Sequence, residues 1–181
     1  MRTIVLLTAL SGLTLLEPCT ASAQETRRTV GTLAKAGIVK AKAEARKWRS
    51  DSYLFQVAAA NVQDGGVTMW NYDFQAPGAS GKKCFRVNVA ATGEAGGIAA
   101  PCAFDNEKEL PGFVIDSDQA VAMARKAGVT RPGLRMTLRM ASVRNMGDRP
   151  VWQLSEGARS GDKTIEVDAI TGQIRSQIRI P

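Results

Sequence analysis

The sequence predicts an α+β fold of two tandem units, each with one helix packed on a small antiparallel β-sheet. The first reason is that several segments alternate apolar and polar residues, a pattern typical of strands with one buried face. The clearest example runs from Thr164 to Ile180, where the turn Thr171-Gly172 separates two alternating stretches. The second reason is that a helical pattern precedes the strands in both halves of the chain. We therefore expect each helix to cover one face of its own sheet.

The first 23 residues have the features of a secretory signal peptide. Arg2 precedes an apolar stretch that is short for a transmembrane helix, and Ala21-Ser22-Ala23 forms a suitable cleavage site. We therefore expect an exported chain, periplasmic or secreted, that starts at Gln24; a lipid anchor at Cys19 is the alternative. The expected organisation is a signal peptide at 1–23, a first unit at 24–94, a linker with a disulfide at 95–115 and a second unit at 116–181.

The first unit is expected to begin with a helix from Thr29 to Trp48, because apolar residues recur there at helical spacing. Strands are expected to follow at 52–62, 67–75 and 83–91. In the first of these strands, Tyr53, Phe55 and Val57 are expected to share one face, since side chains alternate along a strand.

The second unit contains the clearest helix of the sequence, from Asp116 to Gly128. Asp116 is suited to the N-cap position, Gln119 completes a capping box, and Gly128 is suited to ending the helix. Strands are expected after it at 134–143, 151–158, 164–169 and 173–180.

Two cysteines remain after removal of the leader, Cys84 and Cys102. In an oxidising compartment such a pair is expected to form a disulfide, which would tie the linker to the third strand. A redox or nucleophilic thiol is the alternative. It has little support, because the sequence contains no Cys-x-x-Cys motif and no histidine to activate a thiol.

The absence of histidine also removes the common catalytic and zinc-binding motifs. We expect no enzyme, no metal and no cofactor; an enzyme with an unrecognised carboxylate site is the alternative. The densest carboxylate group is Asp162, Glu166 and Asp168, for which a calcium site is weighed against solvated charges. Asp168 is expected to accept hydrogen bonds from backbone amides of the Thr171-Gly172 turn.

The formal net charge of +7 favours contact with anionic surfaces such as lipid headgroups or cell-wall polymers. The densest basic segment lies on the first predicted helix, where a plain solvated face is the competing interpretation. This candidate basic surface consists of Lys40, Lys42, Arg46, Lys47 and Arg49. No nucleic-acid partner is expected, since the aromatic residues are few and suit a core.

The two halves share a sequence pattern that indicates an internal duplication, with a chance likeness of two ordinary meanders as the alternative. Met69-Trp70-Asn71 matches Val151-Trp152-Gln153, and the segment 87–93 matches 167–172 with one residue inserted. In this alignment Asn88 takes the place of Asp168.

A helix followed by strands, a tryptophan opening the middle strand and the closing sequence Val-Asp-Ala-Ile-Thr-Gly-Gln-Ile resemble the PepSY domain. The resemblance covers a whole unit from Asp116 to Gln177 and a degenerate copy from Lys35 to Glu94. The motif residues that carry the resemblance are Trp152, Asp168, Thr171 and Gly172, and we expect a structural role at the turn for them.

The resemblance implies a module of secreted and membrane-attached bacterial proteins that is also similar to part of the propeptides of thermolysin-like proteases. Such modules are thought to bind or restrain peptidases, and the family offers no catalytic residue. We therefore expect a non-catalytic module that binds a protein partner, a peptidase in the implied case. The alternative is an envelope-associated binder of anionic polymer or lipid that uses the basic surface.

Overall fold

A computed structural model describes residues 31–78, 83–102, 108–143 and 147–179, so the expected signal peptide lies outside the described residues. The two helices are α1 (Ala34–Trp48) and α2 (Ser117–Lys126). The strands are β1 (Tyr53–Val62), β2 (Met69–Gln75), β3 (Lys83–Ala90), β4 (Ala95–Pro101), β5 (Leu134–Val143), β6 (Gly147–Ser155), β7 (Lys163–Asp168) and β8 (Ile174–Arg179). Neither helix within these ranges has the length and apolar character needed to cross a membrane.

The eight strands form one antiparallel sheet in the order β4-β3-β2-β1-β5-β6-β7-β8. The prediction of two tandem units, each with its own small sheet, is therefore wrong. The halves join where β1 pairs with β5, with Val57 opposite Leu138. This pairing satisfies backbone groups that would otherwise form an open edge on each half.

The segment 95–115, expected to be a linker, begins instead with strand β4, which pairs with β3 along its whole length. A tight turn connects the two strands, because the Ala90 N–H donates to Glu94 O at 2.8 Å and the Gly93 N–H to Ala90 O at 2.8 Å. Gly93 has a φ of 87°, which suits glycine better than residues with a Cβ.

Both helices cover the same side of the sheet, where Trp70 and Trp152 are fully buried. The two rings contact each other with centroids 6.2 Å apart. The Trp70 indole N–H donates to Thr32 O at 2.6 Å, and that of Trp152 to Ile115 O at 2.9 Å. Each tryptophan thus fixes the residue two positions before the helix of its own half.

The start of α2 caps both helices. Asp116 is the N-cap of α2 and forms a capping box, as predicted. Helix α1 has Leu33 at its N-cap and no capping side chain of its own. Its first amides are bonded from α2: Ala34 N–H donates to Ser117 Oγ at 3.2 Å, and Lys35 N–H to Asp116 Oδ1 at 3.3 Å. These bonds satisfy amides that a helix start leaves without an intrahelical partner.

A register shift between Leu54 and Gln56 makes the expectation of a common face for Tyr53, Phe55 and Val57 wrong. A bulge adds one residue to a strand and moves the following side chains to the other face. Val57 therefore joins the core under the helices, whereas Phe55 packs on the other side with Cys84 and Cys102. These two cysteines form the expected disulfide, with Cα atoms 5.0 Å apart.

Candidate functional site

The candidate site is the sheet face opposite the helices, which we call the uncovered face. Side chains alternate along a strand, so Asn71 and Asp73 lie on this face while Trp70 and Tyr72 lie under α1. In the part of the chain that the structure describes, the helices pack on the opposite side. The uncovered face therefore extends across all eight strands, except where Phe55 packs against Cys84 and Cys102.

One line of side chains crosses the whole uncovered face at matched register, and we call it the polar row. Its members are Gly96, Asn88, Asn71, Ala58, Thr137, Gln153, Glu166 and Ser176, each paired with the next on the neighbouring strand. The polar side chains in it are half-buried. Ser176 donates to Glu166 Oε2 at 2.8 Å, while the buried Oδ1 of Asn88 has no hydrogen-bond partner among the described residues.

A second line, the charged row, runs beside the first. Its members are Ile98, Arg86, Asp73, Gln56, Arg139, Val151 and Asp168. Asp73 is buried and accepts two hydrogen bonds from Arg86, at 2.7 and 3.1 Å, and one from Gln56 at 3.0 Å. The hydrogen bond to Asp73 raises the pKa of the Arg86 guanidinium. Charge in the first half of the row is therefore neutralised.

The centre of the charged row carries an excess of positive charge. Arg139 lies on β5 between Gln56 and Val151, is half-buried, and has no ion pair with any residue of the described ranges. Arg135, on the same face of β5, is exposed and likewise has no ion pair there. The middle of the uncovered face therefore offers guanidinium groups to an acidic partner surface.

Asp168 is fully buried at the end of β7 and organises the turn to β8. Its Oδ1 accepts from the Ile170 N–H at 2.9 Å and the Thr171 N–H at 2.8 Å, and its Oδ2 pairs with Arg175. Burial alone would raise the pKa of Asp168. The hydrogen bonds from these amides and the pairing with Arg175 lower it by a larger amount, so the net pKa lies below its ordinary value. The expected hydrogen bonds to the turn are thus present, with Ile170 and Thr171 as donors.

The other motif residues have structural positions. Trp152 is buried under the helices, the Thr171 Oγ1 accepts from the Gln173 N–H at 3.3 Å, and Gly172 has a φ of 75°. A Cβ at Gly172 would lie 2.5 Å from the Met123 side chain, so the turn packs closely on α2.

Sequence alignment placed Asn88 at the position of Asp168, and the strand register corrects this. Val89 pairs with Trp70 as Val167 pairs with Trp152, so the counterpart of Asp168 is Ala90. The one-residue difference therefore falls inside the turn of the second half. An Asp or Asn role recurring in both turns, as the alignment suggested, is wrong.

The candidate basic surface on α1 is only partly free. Lys47 pairs with Glu44, and Arg49 with Asp51. Lys40 donates to Gly93 O at 2.8 Å. Lys42 and Arg46 are exposed and one helical turn apart, without ion pairs to described residues. Of the five predicted side chains, Lys42 and Arg46 are thus the two without ion pairs or hydrogen bonds to described residues.

A groove of about 260 Å³ lies on the helix side, between α1 and the segment 110–113. Its apolar wall includes Ile38, Leu54 and Phe113. Lys35 lies at its rim, but its Nζ donates to Val114 O at 2.6 Å and lies 5.3 Å from the Phe113 ring centroid. Internal contacts therefore already occupy Lys35, one of the two lysines that line the groove, the other being Lys42.

The three carboxylates considered as calcium ligands each have a different internal partner. Asp162 pairs with Arg131 at 2.7 Å, Asp168 with Arg175, and Glu166 accepts from Ser176. Within the described ranges, no group of His, Cys, Asp or Glu side chains is arranged to hold a metal.

Sequence reasoning missed the polar and charged rows, because each row takes one residue from each strand and depends on the pairing of β1 with β5. The only signal was the polar half of each alternating pattern, which is also what a solvated face requires. Searches against protein-family models, curated proteins and solved structures found no match to this chain. The resemblance to PepSY domains therefore stays a prediction from the motif.

Proposed function

We propose that the chain is a non-catalytic interaction module that binds a partner protein through its uncovered face. The observation that carries the proposal is the pair of matched rows that cross the sheet from one half to the other. The side chains of the polar row are half-buried and project from paired strands, so they lose little freedom on binding. A flat polar surface of this kind suits a protein surface better than a small molecule, which prefers an enclosed pocket.

Charge indicates the kind of protein surface. Arg135 and Arg139 lie near the middle of the uncovered face without ion pairs in the described ranges, and the neighbouring Asp73 is already paired with Arg86. An acidic loop or helix end on the partner would complement them. The peptidase partner is what the PepSY resemblance implies, and restraint would then occur by occlusion of the peptidase surface in the periplasm or outside the cell.

Non-catalytic action is supported by the state of the buried carboxylates. Asp73, Asp162 and Asp168 are each paired with an arginine. Of these three, Asp168 has a pKa below its ordinary value, so it stays charged and is poorly suited to proton transfer near neutral pH. With no histidine in the sequence, general-base chemistry would need a different group.

The test is capture from an envelope fraction with the chain from Gln24 to Pro181 as bait, at low and high salt. Arg139→Glu changes the uncovered face, and Lys42→Glu is the matched control on α1. We expect the same peptidase to be retained by wild type and by Lys42→Glu, and to bind about tenfold more weakly to Arg139→Glu. Inhibition of the captured peptidase by the purified chain completes the test. Retention that is indifferent to Arg139→Glu, in a variant that is folded, contradicts the proposal.

The second candidate is contact with anionic polymer or lipid through α1. It is favoured by the exposed Lys42 and Arg46. Binding of this type would be lost with Lys42→Glu and with added salt, because screening weakens exposed charges. Vesicles of anionic and neutral lipid, compared at two salt concentrations, distinguish it from the first candidate.

A further inference from the structure

Strand β4 forms one edge of the sheet, and its sequence AGGIAAP leaves this edge unprotected within the described part of the chain. Natural edge strands are usually blocked by charged side chains, bulges or a covering segment. Strand β4 has no charged residue, its pairing with β3 shows no register shift, and its middle residues are exposed. The opposite edge, β8, carries Arg175 and Arg179 and is therefore blocked by charge.

The register with β3 identifies which backbone groups of β4 point outward. The Ala90 N–H donates to Glu94 O, so alternate residues from Glu94, namely Gly96, Ile98 and Ala100, direct their backbone groups toward β3. The residues between them direct theirs away from the sheet. These outward residues are Ala95, Gly97 and Ala99, followed by Pro101, which has no N–H to satisfy.

We infer that β4 pairs with β4 of a second copy of this chain, antiparallel and about a two-fold axis at Gly97. In that register Ala95 of each copy lies opposite Ala99 of the other, and all their outward donors meet acceptors. The two sheets become one continuous sheet. This inference concerns the edge of the sheet and does not depend on the uncovered face binding a partner.

The shape of β4 is self-complementary in this register, which favours pairing with a second copy of the chain over pairing with a different strand. The same register places Ile98 of each copy directly opposite Gly96 of the other. Ile98 is 58% exposed, the highest value among the large apolar side chains of the strands. A Cβ at Gly96 would meet nothing within 4 Å, so the space beside it is open to that isoleucine. Closed two-fold symmetry satisfies both edges at once and leaves no further β4 edge exposed.

Charge predicts how such a dimer depends on salt. Each copy carries a formal charge of +7, so two copies repel each other at long range. Added salt screens this repulsion and should strengthen the dimer. Binding of an anionic surface to the same chain would show the opposite trend.

The test uses sedimentation equilibrium of the chain from Gln24 to Pro181 over a range of concentrations, with two variants of β4. Ile98→Lys places a charge at the axis, and Ala99→Pro removes an outward N–H that β3 does not use. Each is expected to weaken the dimer about tenfold or more, because charge and proline both block edge pairing. Ile178→Lys, on the exposed face of β8, is the matched control and should leave the dimer unchanged.

Amide hydrogen exchange gives a second readout at single-residue level. On dimer formation the amides of Ala95, Gly97 and Ala99 should be protected, whereas those of Ile98 and Ala100 are already bonded to β3. A chain that stays monomeric up to about millimolar concentration, where even weak specific contacts are populated, would overturn the inference. So would a dimer that Ile178→Lys weakens and Ile98→Lys does not. Protection of these amides by a foreign strand in a monomeric chain would overturn the choice of a second copy.

Discussion

The outer hairpins of the two halves, β3–β4 and β7–β8, occupy opposite ends of one sheet but are stabilised by different chemistry. The first has a short turn and a disulfide from Cys84 to Cys102. The second has a turn one residue longer, in which the Asp168 N–H donates to Gln173 O at 2.9 Å. The added residue brings one more amide into the turn, and the Asp168 carboxylate accepts hydrogen bonds from two amides, those of Ile170 and Thr171.

The two hairpins follow a similar backbone path at equivalent positions of the repeat. The side chains that stabilise them are nevertheless different. Both turns close through two equivalent backbone bonds, and only the longer turn adds a carboxylate, that of Asp168, where the shorter turn has Ala90. The β3–β4 hairpin therefore depends on its disulfide, and the β7–β8 hairpin depends on the charge of Asp168. The two dependences can be separated by experiment.

The largest effect is expected for Asp168→Ala. The substitution removes two hydrogen bonds to turn amides and the carboxylate that faces the buried Arg175, and should lower the free energy of unfolding by about 4 kcal/mol. Urea unfolding followed by tryptophan fluorescence measures this. Glu166→Ala on the same strand, where only a half-buried hydroxyl is lost as partner, should cost about 1 kcal/mol or less. Equal costs would show that Asp168 has no special role in the turn.

Loss of the disulfide is expected to rank second. Replacing Cys84 and Cys102 by alanine increases the conformational entropy of the unfolded chain. For a closed loop of this length, the free energy of unfolding should fall by about 3 kcal/mol. Reduction by dithiothreitol should give the same loss in the wild-type protein and none in the double variant. The amides of β4 should gain more in exchange rate than those of β8 in the variant, because local opening of β4 is also no longer restrained. The same gain at both edges would mean that the hairpins do not open independently.

Acid is expected to destabilise the second hairpin selectively. The pKa of Asp168 is lowered in the folded state, so its contribution to stability is present above its unfolded pKa, which is about 3.9. That contribution is lost as the pH falls through the lowered folded value. Asp168→Asn keeps an oxygen for the turn amides but cannot titrate. Its stability should therefore fall less than that of wild type between about pH 4 and pH 2. Parallel pH curves for the two proteins would contradict this assignment.

The smallest effect is expected for Ala90→Asp, which puts a carboxylate at the position that corresponds to Asp168. The shorter turn has one amide fewer for it to bind, so we expect no gain and a loss of about 1 kcal/mol or less. Thermal unfolding at neutral pH measures the change, with Asn88→Ala as a control on the same strand. A clear gain in stability would show that the turn length is not what makes Asp168 necessary.

Much of the local structure could be predicted from the sequence because it depends on neighbouring residues. Asp116 and Gln119 identify the start of α2, and the alternating residues on both sides of Thr171-Gly172 identify β7 and β8. The disulfide followed from two cysteines remaining after the expected leader is removed. In each case a local rule, such as capping, pleating or oxidation state, was sufficient.

The features that could not be predicted depend on contacts between distant residues. Strand β4 has no alternation because Gly96 and Gly97 provide no side chains, and only pairing with β3 makes it a strand. A Cβ at Gly97 would lie 2.3 Å from the Phe85 ring, so glycine is required there for packing rather than for a turn. The joining of β1 to β5, which aligns the rows of the uncovered face, has no local signal.

The shared cap at the helix starts has a consequence for the order of folding. The Lys35 amide finds its acceptor 81 positions later in the chain, at Asp116. During synthesis from the N-terminus, the first turn of α1 can therefore be completed only after the second half of the chain has been made. A nascent fragment that ends at Cys102 should exchange the amides of Ala34 and Lys35 as freely as an unfolded peptide, and the full chain should protect them. The second half thus acts as an internal template that completes the first.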